Sequence, residues 1–403
     1  MPDDRANPGW CPVTGATPPR VAVIGANGHG RWHRRVIGPL HDAGRLRLVA
    51  LVDVHPVEDD QAAPMPPGVE VFTDHRAMLA ATQPEVVVIC TPPHTHLAIA
   101  REALAAGADL LLEKPPVLSL AEHEELTWAL TAAGRVAQVG FQALGSAALT
   151  ALTDALAAGR LGTVTGISTV AAWQRPDAYY ARSPWAGRRS LNGRPVLDGA
   201  LANPLAHAVM QCLAIAEALN GATPWPVAIE VERYRVRPIE VEDTAVLRVL
   251  FRAGPPVLAA VTLAAEEFVA GDVLVTGTAG QAVLEYPTDR LRLPGDVVSR
   301  RFPGRLGLLE NLLAHRADPA GVPLIAPLAR TAPFTALLDA LRAAPEPRLL
   351  DGDLVTTVGD GGERVRHLRG VVDVLRRSAE RGALPSELAV PWAAAAYRAE
   401  LAG

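Results

Sequence analysis

From Arg20 onward, short apolar runs alternate with longer stretches of helical periodicity, and this alternation is what most constrains the fold. The runs are continuously apolar, which indicates strands buried on both faces of a parallel sheet that helices cover. The predicted strands span 20–25, 46–53, 69–72, 85–91, 109–113 and 135–141. The predicted helices between them span 30–43, 74–82, 95–106 and 119–133. This order predicts a doubly wound, Rossmann-type α/β domain.

Beyond the last of these strands the pattern changes to runs of strands with period-two alternation. Segments such as "AVLRVLF" and "PVLAAVTL" illustrate it, within a region from about residue 163 to residue 292. The pattern predicts an α+β domain whose sheet is mostly antiparallel, with helices on one face. The other face could pack against a second copy, so we expect a homo-oligomer, a dimer or tetramer, formed through this sheet.

The chain therefore divides into four predicted segments. They are a flexible tail at 1–19, a nucleotide-binding domain at 20–142, a domain for substrate binding and oligomerisation at 143–345, and a C-terminal helical extension at 346–403. Helices are predicted near 146–159, 203–219, 305–316, 330–344 and 363–382. The tail lacks the apolar core and flanking positive charge of a signal peptide.

Composition excludes several classes of function. A chain that is 49% hydrophobic and 20% charged is globular, and a net charge of −5 without a basic block argues against nucleic acid as a partner. No apolar run is long enough to cross a membrane. Cys11, Cys90 and Cys212 lie at scattered spacings, which fits a reducing cytoplasm. We expect a cytoplasmic protein whose partner is a small molecule.

The segment "GANGHG" follows the first strand and opens a helix. Gly25 permits a tight turn, Gly30 lets the helix pack close to the strand, and the N–H groups at Asn27, Gly28 and His29 are placed to cradle a pyrophosphate. Asn27 occupies the position of the middle glycine, where asparagine tolerates left-handed geometry. The loop predicts a dinucleotide cofactor.

Asp53 indicates which dinucleotide. It ends the second predicted strand, where a carboxylate accepts hydrogen bonds from ribose hydroxyls. Its negative charge would repel a 2′-phosphate, so NAD is favoured over NADP, which stays possible.

Lys114 is the only lysine in a chain with 38 lysines and arginines. Arginine stays charged near neutral pH, whereas a buried lysine can give up its proton and act as a general acid or base. The alternative is that one lysine survives on a solvated turn, and side-chain type alone leaves both open. Lys114 follows a strand at the carboxyl edge of the predicted sheet, where α/β domains bind ligands, and that position favours catalysis.

The stretch "CTPPHTHLAIA" follows the fourth strand at the same edge of the sheet. We expect Thr91, Pro92 and His96 to contact the cofactor. His94 and His96 could be imagined as metal ligands, but Cys90 is a strand residue and no third ligand has a recognisable spacing. No metal site is predicted.

Taken in order, these motifs resemble the glucose–fructose oxidoreductase/inositol dehydrogenase (Gfo/Idh/MocA) family. The motifs are "VAVIGANGHGRWH", "VVVICTPPHTHLAIA", "LLLEKPP", "VAQVGFQ" and "DAYYARSPWAGRR", and the resemblance covers roughly residues 20–345. It implies a pyridine-nucleotide dehydrogenase acting on a sugar, cyclitol or related polyol. It also implies that Lys114 lies near the nicotinamide and the substrate hydroxyl, with Glu113 fixing its placement and Gln142 contacting nicotinamide or substrate.

The sequence departs from the family where an aspartate and a histidine usually stand four residues apart. Asp198 is present, but Ala202 occupies the histidine position and the next histidine is His207. Asn203 is predicted to cap a helix that begins at residue 204, and that helix would carry His207 on the same face as Asn203. We expect Lys114, Asp198 and His207 to be catalytic and Asn203 to bind substrate. The alternative for His207 is a core histidine.

Aromatic and arginine side chains concentrate in one stretch of a chain that is only 4% aromatic. Aromatic faces stack on sugar rings, and arginines bind hydroxyls or carboxylates. The alternative is a long loop packed on the sheet. We expect a substrate pocket to include Trp173, Arg175, Tyr180, Trp185 and Arg188.

Three functions remain for comparison. The first is an NAD(P)-dependent oxidoreductase of a sugar or polyol. The second is a glycosidase that oxidises and reduces its substrate transiently without consuming NAD. The third is a non-catalytic sensor that binds NAD, against which the retained Lys114 counts, because a sensor needs no titratable amine.

Overall fold

The computed structural model describes residues 17–401, so Cys11 and most of the predicted tail lie outside it. The chain forms two compact units, each described by itself. Within the described residues, the first unit comprises 17–141 and Gly307–Thr331, and the second comprises Gln142–Leu306 and 332–401. The return of residues 307–331 to the first unit is a feature that the sequence pattern did not predict.

The first unit contains a six-stranded parallel sheet, and the prediction of a Rossmann domain is confirmed. Its strands are β1 (Arg20–Ile24), β2 (Arg47–Val52), β3 (Glu70–Phe72), β4 (Val86–Ile89), β5 (Asp109–Leu112) and β6 (Ala137–Val139). Its helices begin with α1 (Gly30–Asp42), α2 (His75–Thr82), α3 (His96–Ala105) and α4 (Leu120–Ala133). The strand order β3-β2-β1-β4-β5-β6 reverses direction between β1 and β4, which is where such sheets bind ligands.

The second unit is built on a ten-stranded mixed sheet with mostly antiparallel pairs, as predicted. Its elements before residue 302 are α5 (Ala147–Ala157), β7 (Val164–Gln174), α6 (Asp177–Tyr180), β8 (Ser190–Leu191), β9 (Arg194–Pro195), α7 (Ala206–Asn220), β10 (Pro226–Arg235), β11 (Thr244–Phe251), β12 (Val257–Thr262), β13 (Ala264–Gly277), β14 (Gly280–Glu285), β15 (Arg290–Arg292) and β16 (Arg300–Arg301). The sheet is mixed because β7 pairs with β12, and β10 with β17, in parallel.

The chain then contributes α8 (Leu308–Ala317) to the first unit, where Leu308, Leu309 and Leu312 pack in the core with Val21 and Val86. It returns to the second unit with α9 (Ala332–Ala343). The remaining elements are β17 (Arg348–Leu349), β18 (Val355–Val358), β19 (Val365–Leu368), α10 (Val371–Arg381) and β20 (Tyr397–Glu400).

The C-terminal extension is not purely helical, which corrects the prediction of a helix over 363–382. Residues 365–368 form β19, which pairs with β18 as an antiparallel hairpin, and α10 begins only at Val371. A local periodic pattern cannot reveal a strand whose partner lies ten residues upstream, because the pairing is not encoded in the window.

The extension covers one face of the ten-stranded sheet. Leu350, Leu368, Leu375 and other extension residues are buried in one apolar cluster with sheet residues such as Val170 and Leu258. The face that was expected to pack against a second copy is therefore occupied by the chain itself. The extension thus leaves less of this sheet face open to a second copy than the sequence pattern suggested, and the homo-oligomer through the sheet stays a prediction.

Within residues 17–401, no helix has both the length and the apolar character that crossing a bilayer requires.

Candidate functional site

The glycine-rich loop of the first unit lies against the end of β4. Gly25 has a φ of +85°, and a Cβ on it would come within 2.9 to 3.0 Å of backbone atoms of Cys90 and Thr91. A Cβ on Gly30 would overlap the carbonyl oxygen of Gly25. Glycine is required at both positions, so the loop can approach the strand ends and expose the N-terminus of α1. These features fit a bound pyrophosphate.

Asn27, at the position of the middle glycine, makes hydrogen bonds that a glycine side chain could not make. Its backbone N–H donates to Oδ2 of Asp53 at 2.9 Å, and its side-chain amide donates to the carbonyl of Pro56 at 3.0 Å. Its Oδ1 accepts from the N–H of Glu58 at 2.9 Å. The side chain therefore fastens the glycine loop to the segment after β2, a role that a glycine could not fill.

Asp53 stands at the end of β2 beside this loop. Its Oδ1 accepts a hydrogen bond from the N–H of His55 at 3.1 Å, and its Oδ2 accepts the bond from Asn27. A carboxylate offers about four acceptor positions, so two remain for ribose hydroxyls. Glu58, Asp59 and Asp60 follow in the same segment and add negative charge there.

Glu113 is the buried hub of the first unit's polar cluster, with 7% of its surface exposed. Its Oε1 accepts a hydrogen bond from Nε2 of His33 at 2.9 Å and lies 3.3 Å from Nε2 of His29. Its Oε2 accepts from the backbone N–H of Lys114 at 3.1 Å. The carboxylate of Glu113 thus links the two histidines at the start of α1 to Lys114, the next residue in the chain.

Burial alone would raise the pKa of the Glu113 carboxyl. The hydrogen bonds from His29 and His33, together with the charges of these imidazoles, outweigh burial and hold that pKa well below its ordinary value. The group is therefore an ionised acceptor at neutral pH, and it fixes the backbone of Lys114 instead of exchanging protons.

His29, His33 and Glu113 each offer a metal-ligand atom, and these atoms lie within 4.8 Å of one another. The set is of a kind that Zn²⁺ binds. Hydrogen bonds from two imidazoles to one ionised carboxylate account for the same geometry, and we assign it that role. The sequence analysis missed this cluster, although the four-residue spacing of the two histidines could have indicated a shared helix face.

Lys114 is half-buried and lies just beyond β5, and its peptide bond to Pro115 is cis. The neighbouring Pro115 and Pro116 carbonyls both lie 3.1 Å from Nδ1 of His96. The other ring nitrogen of His96 lies 2.8 Å from the carbonyl of Thr91. His96 therefore lies between the loop after β4 and the loop that carries Lys114, and a neutral imidazole donates a hydrogen bond to one of them and packs against the other.

His96 is fully buried, and its burial lowers the pKa of its imidazole despite the carbonyl groups around it. It has no surface to offer a cofactor. This corrects the expected direct contact, and we assign His96 a positioning role. Thr91 and Pro92 are partly exposed at the end of β4, and Oγ1 of Thr91 accepts a hydrogen bond from Thr95 at 2.7 Å.

Asp198 anchors a loop of the second unit and is 4% exposed. Its two oxygens accept hydrogen bonds from one guanidinium nitrogen of Arg182, at 2.8 and 2.7 Å. They also accept from the N–H of Gly187 at 2.8 Å and the side-chain amide of Asn203 at 2.6 Å. This geometry favours an anchoring role over the expected catalytic one. Arg182, which the sequence analysis did not select, is part of this anchor.

Asn203 does not cap α7, contrary to the prediction. The helix begins at Ala206 after Leu205, whose apolar side chain cannot cap it, and the amide of Asn203 donates to Asp198. His207 lies in the first turn of α7 and is half-buried. The structure therefore brings Asp198 and Asn203 together within the second unit. Gln142 lies in a single 3₁₀ turn, 142–145, at the start of that unit.

The aromatic and arginine residues of the second unit stack on one another. The guanidinium of Arg175 lies 4.9 Å from the ring centre of Trp173, and that of Arg182 lies 4.7 Å from the ring centre of Trp185. The indole of Trp173 donates to the carbonyl of Ala270 at 2.9 Å. For Trp173 these contacts favour the alternative of a packed loop.

Tyr180 and Arg188 are placed differently, because both line a cavity in the second unit.

The comparisons with known proteins agree with this fold. Residues 19–141 match the model of an oxidoreductase family with an NAD-binding Rossmann fold. The D-glucoside 3-dehydrogenase of Escherichia coli (strain K12) is 30% identical over 131 residues, which are 31% of this chain and 35% of that protein. An inositol 2-dehydrogenase of Burkholderia multivorans is 30% identical over 146 residues, which are 36% of this chain and 42% of that protein. The match therefore spans about two fifths of the length of these curated relatives.

Solved structures share the fold over more of the chain. The WlbA dehydrogenase from Bordetella pertussis, solved with NADH and UDP-GlcNAcA, has a TM-score of 0.65 at 22% identity and covers 83% of this chain and 100% of its own. An inositol dehydrogenase homolog from Azotobacter vinelandii, solved with NAD⁺, has a TM-score of 0.63 at 19% identity and covers 81% of this chain and 95% of its own.

Proposed function

Because its nucleotide-binding region, residues 19–141, belongs to the Gfo/Idh/MocA family of NAD-binding oxidoreductases, we propose that this chain is a dehydrogenase of a sugar, cyclitol or related polyol. It would transfer hydride between a nicotinamide cofactor and a secondary hydroxyl or keto group. The observation that carries the proposal is the only lysine of the chain, which follows β5 and whose backbone is held by the ionised Glu113.

Oxidation of a secondary alcohol removes a hydride from carbon and a proton from oxygen. Bound NAD supplies the hydride acceptor, through chemistry that belongs to the cofactor. The protein must supply a base for the proton, and the amine of Lys114 is the candidate, since arginine stays charged in this pH range. Glu113 holds the backbone N–H of Lys114, and His96 lies against the carbonyls of the two prolines that follow Lys114.

NAD is the proposed cofactor in preference to NADP. Asp53 retains acceptor positions for ribose hydroxyls, and Glu58, Asp59 and Asp60 place further negative charge in the same segment. Arg35 is paired with Asp60 at 2.8 Å, so it is engaged within the protein. Arg31 is likewise paired with Glu58, and Arg34 donates to the backbone carbonyls of Glu58 and Ala63, so a 2′-phosphate would meet the Asp53 carboxylate and arginines already engaged within the protein.

The test measures the absorbance of reduced nicotinamide, with NAD or NADP, across sugars, inositols and uronic acids. Lys114→Arg keeps the charge but cannot release the proton, so we expect kcat to fall by about 10²-fold or more while NAD binding is retained. A matched control adds Arg47→Lys to this variant, which returns an amine at an exposed position of β2. We expect that this amine does not restore kcat.

Turnover that survives Lys114→Arg would refute the assignment of the base. Clear NAD binding without turnover on any substrate would instead favour the transient-redox glycosidase or the sensor. Aryl glycosides then separate these two, because only the glycosidase releases the aryl group.

A further inference from the structure

One buried arginine connects the C-terminal extension with residues 175–187 of the second unit, called here the 175–187 segment. Arg237 lies just after β10 and is 2% exposed. We propose that Arg237 is a positioning residue, which holds the 175–187 segment in one conformation together with the β18–β19 hairpin. The proposal rests on the proposed function for the use of this segment, because Arg175, Tyr180 and Trp185, which are predicted to bind substrate, lie in it.

The guanidinium of Arg237 contacts three separate parts of the chain. Its Nη2 donates to the carbonyl of Arg175 at 2.7 Å and to that of Arg366 at 3.4 Å. Its Nη1 donates to Oδ2 of Asp243 at 3.4 Å, and its Nε lies 3.6 Å from Oδ1 of Asp177. The side chain therefore joins the start of the 175–187 segment, the strand β19 and the connection between β10 and β11.

The chemistry of arginine suits a group that selects one conformation. A buried ion pair can often be replaced by apolar side chains without loss of stability, so stability alone does not explain a buried charge here. A guanidinium carries five N–H donors in a fixed plane, and it can meet two carbonyls and a carboxylate only when these are correctly arranged. Asp243 is fully buried and supplies a negative charge beside Arg237. The contacts of Arg237 thus favour one arrangement of the surrounding segments.

The β18–β19 hairpin holds the same end of the 175–187 segment. The N–H of Asp177 donates to the carbonyl of Arg364 at 2.9 Å, and Pro176 forms a β-bridge with Val365. The guanidinium of Arg366 lies 3.9 Å from the carboxylate of Asp177. The start of the segment is therefore attached to the extension through backbone contacts, and to the large sheet through the buried guanidinium.

The other end of the 175–187 segment has its own anchor. Asp198 accepts hydrogen bonds from the guanidinium of Arg182 and from the N–H of Gly187. Between the two anchors, the ring centre of Tyr180 lies 5.2 Å from the guanidinium of Arg237, within the range of a cation–π contact. Because both ends are held, the aromatic side chains between them have fixed positions. Loss of the contacts of Arg237 would release one end.

Hydrogen–deuterium exchange, measured without NAD or substrate, reports how firmly the segment is held. Arg237→Lys keeps the charge, but one amine cannot reproduce the contacts of the guanidinium fork. We expect the amides of 177–187 and of the hairpin, 355–368, to exchange about tenfold faster in this variant. Asp177→Asn removes a facing charge at nearly constant size and should cause a smaller increase in the same peptides. This second variant decides the question if Arg237→Lys does not fold, which circular dichroism shows.

Arg248→Lys is the matched control. Arg248 pairs with Glu230 and with Glu387 of the extension, and none of its ion pairs within residues 17–401 reaches the 175–187 segment. Exchange in 177–187 should stay unchanged in this variant. Unchanged exchange there in folded Arg237→Lys and in Asp177→Asn would overturn the proposal. Faster exchange of the segment beside a fully protected hairpin would refute the role given to the extension.

Steady-state kinetics test whether this positioning serves the reaction. On a substrate that the wild type turns over, Arg237→Lys should raise KM about tenfold and leave kcat within about twofold, as a loss of ground-state binding does. Arg248→Lys should leave both values unchanged. An unchanged KM despite faster exchange would refute the role in substrate binding. Absence of turnover by the wild type would refute the dehydrogenase alone, since the exchange measurement needs no substrate.

Discussion

At the scale of single residues, the lowered pKa of Glu113 predicts how the stability of the protein changes with pH. Folding lowers that pKa below 4.5, the ordinary value for glutamate, so the ionised carboxylate stabilises the folded state. This stabilisation is present above pH 4.5 and is lost as the pH falls through the lower pKa of the folded state. We expect Glu113→Gln to lower the free energy of unfolding by about 2 kcal/mol at neutral pH.

Urea unfolding at neutral pH and at about pH 4 measures this difference. The difference in the free energy of unfolding between the wild type and Glu113→Gln should become smaller at the lower pH. Glu70→Gln, at the exposed start of β3, is the control and should show little effect at either pH. A gap independent of pH would mean that the carboxylate charge does not stabilise the fold.

The residue scale also shows how far a sequence can predict a site. The roles of Gly25, Gly30 and Asp53 can be predicted from a local motif, because the turn and the end of the strand are encoded within a few positions. The pairing of Asp198 with Arg182 does not follow, since it depends on how a loop folds back on itself. The side-chain amide of Asn203 donates to the same Asp198 carboxylate, a contact that the local sequence does not reveal either.

At the scale of elements, β1, β2, β4 and β5 were predictable because they are almost entirely apolar and buried, whereas the edge strand β3 is short and largely exposed. The return of α8 to the first unit was not predictable, because the helix is separated from its sheet partners by the second unit's strands. Likewise, β19 comes just before the helix α10 in the chain, but it forms a strand because it pairs with β18. Long-range partners limit the sequence analysis more than local propensity does.

The helix α10 carries the prediction at this scale. Leu375 is fully buried within the cluster that joins the extension to the ten-stranded sheet. Leu375→Ala should lower the free energy of unfolding by about 3 kcal/mol, as cavity-forming core substitutions do. Glu380→Ala, on the exposed side of the same helix, should change it little. Chemical denaturation compares the two, and equal effects would show that α10 does not stabilise the sheet.

At the scale of the whole molecule, the extension covers a sheet face against which a second copy could otherwise pack. It buries Leu368, Val371, Leu375 and Trp392 against the sheet, and the ring of Trp392 meets that of Tyr234 edge to face at 4.9 Å. Exposed apolar faces of this kind mark interaction surfaces. A chain that covers the face with its own residues has no need of a second copy there.

Size-exclusion chromatography with light scattering tests this consequence. If the extension replaces the contact with a second copy, the wild type has the monomer mass of 42.5 kDa at every concentration, whereas a dimer or tetramer has two or four times that mass. Leu375→Asp places a charge in the covered cluster, so the extension should loosen and the uncovered sheet face should associate, which raises the mass as concentration increases. Glu380→Lys changes charge on the exposed side of α10 and should stay monomeric. A wild-type oligomer whose mass is unchanged by Leu375→Asp would place the interface on another surface, and the extension would then be no substitute for a partner.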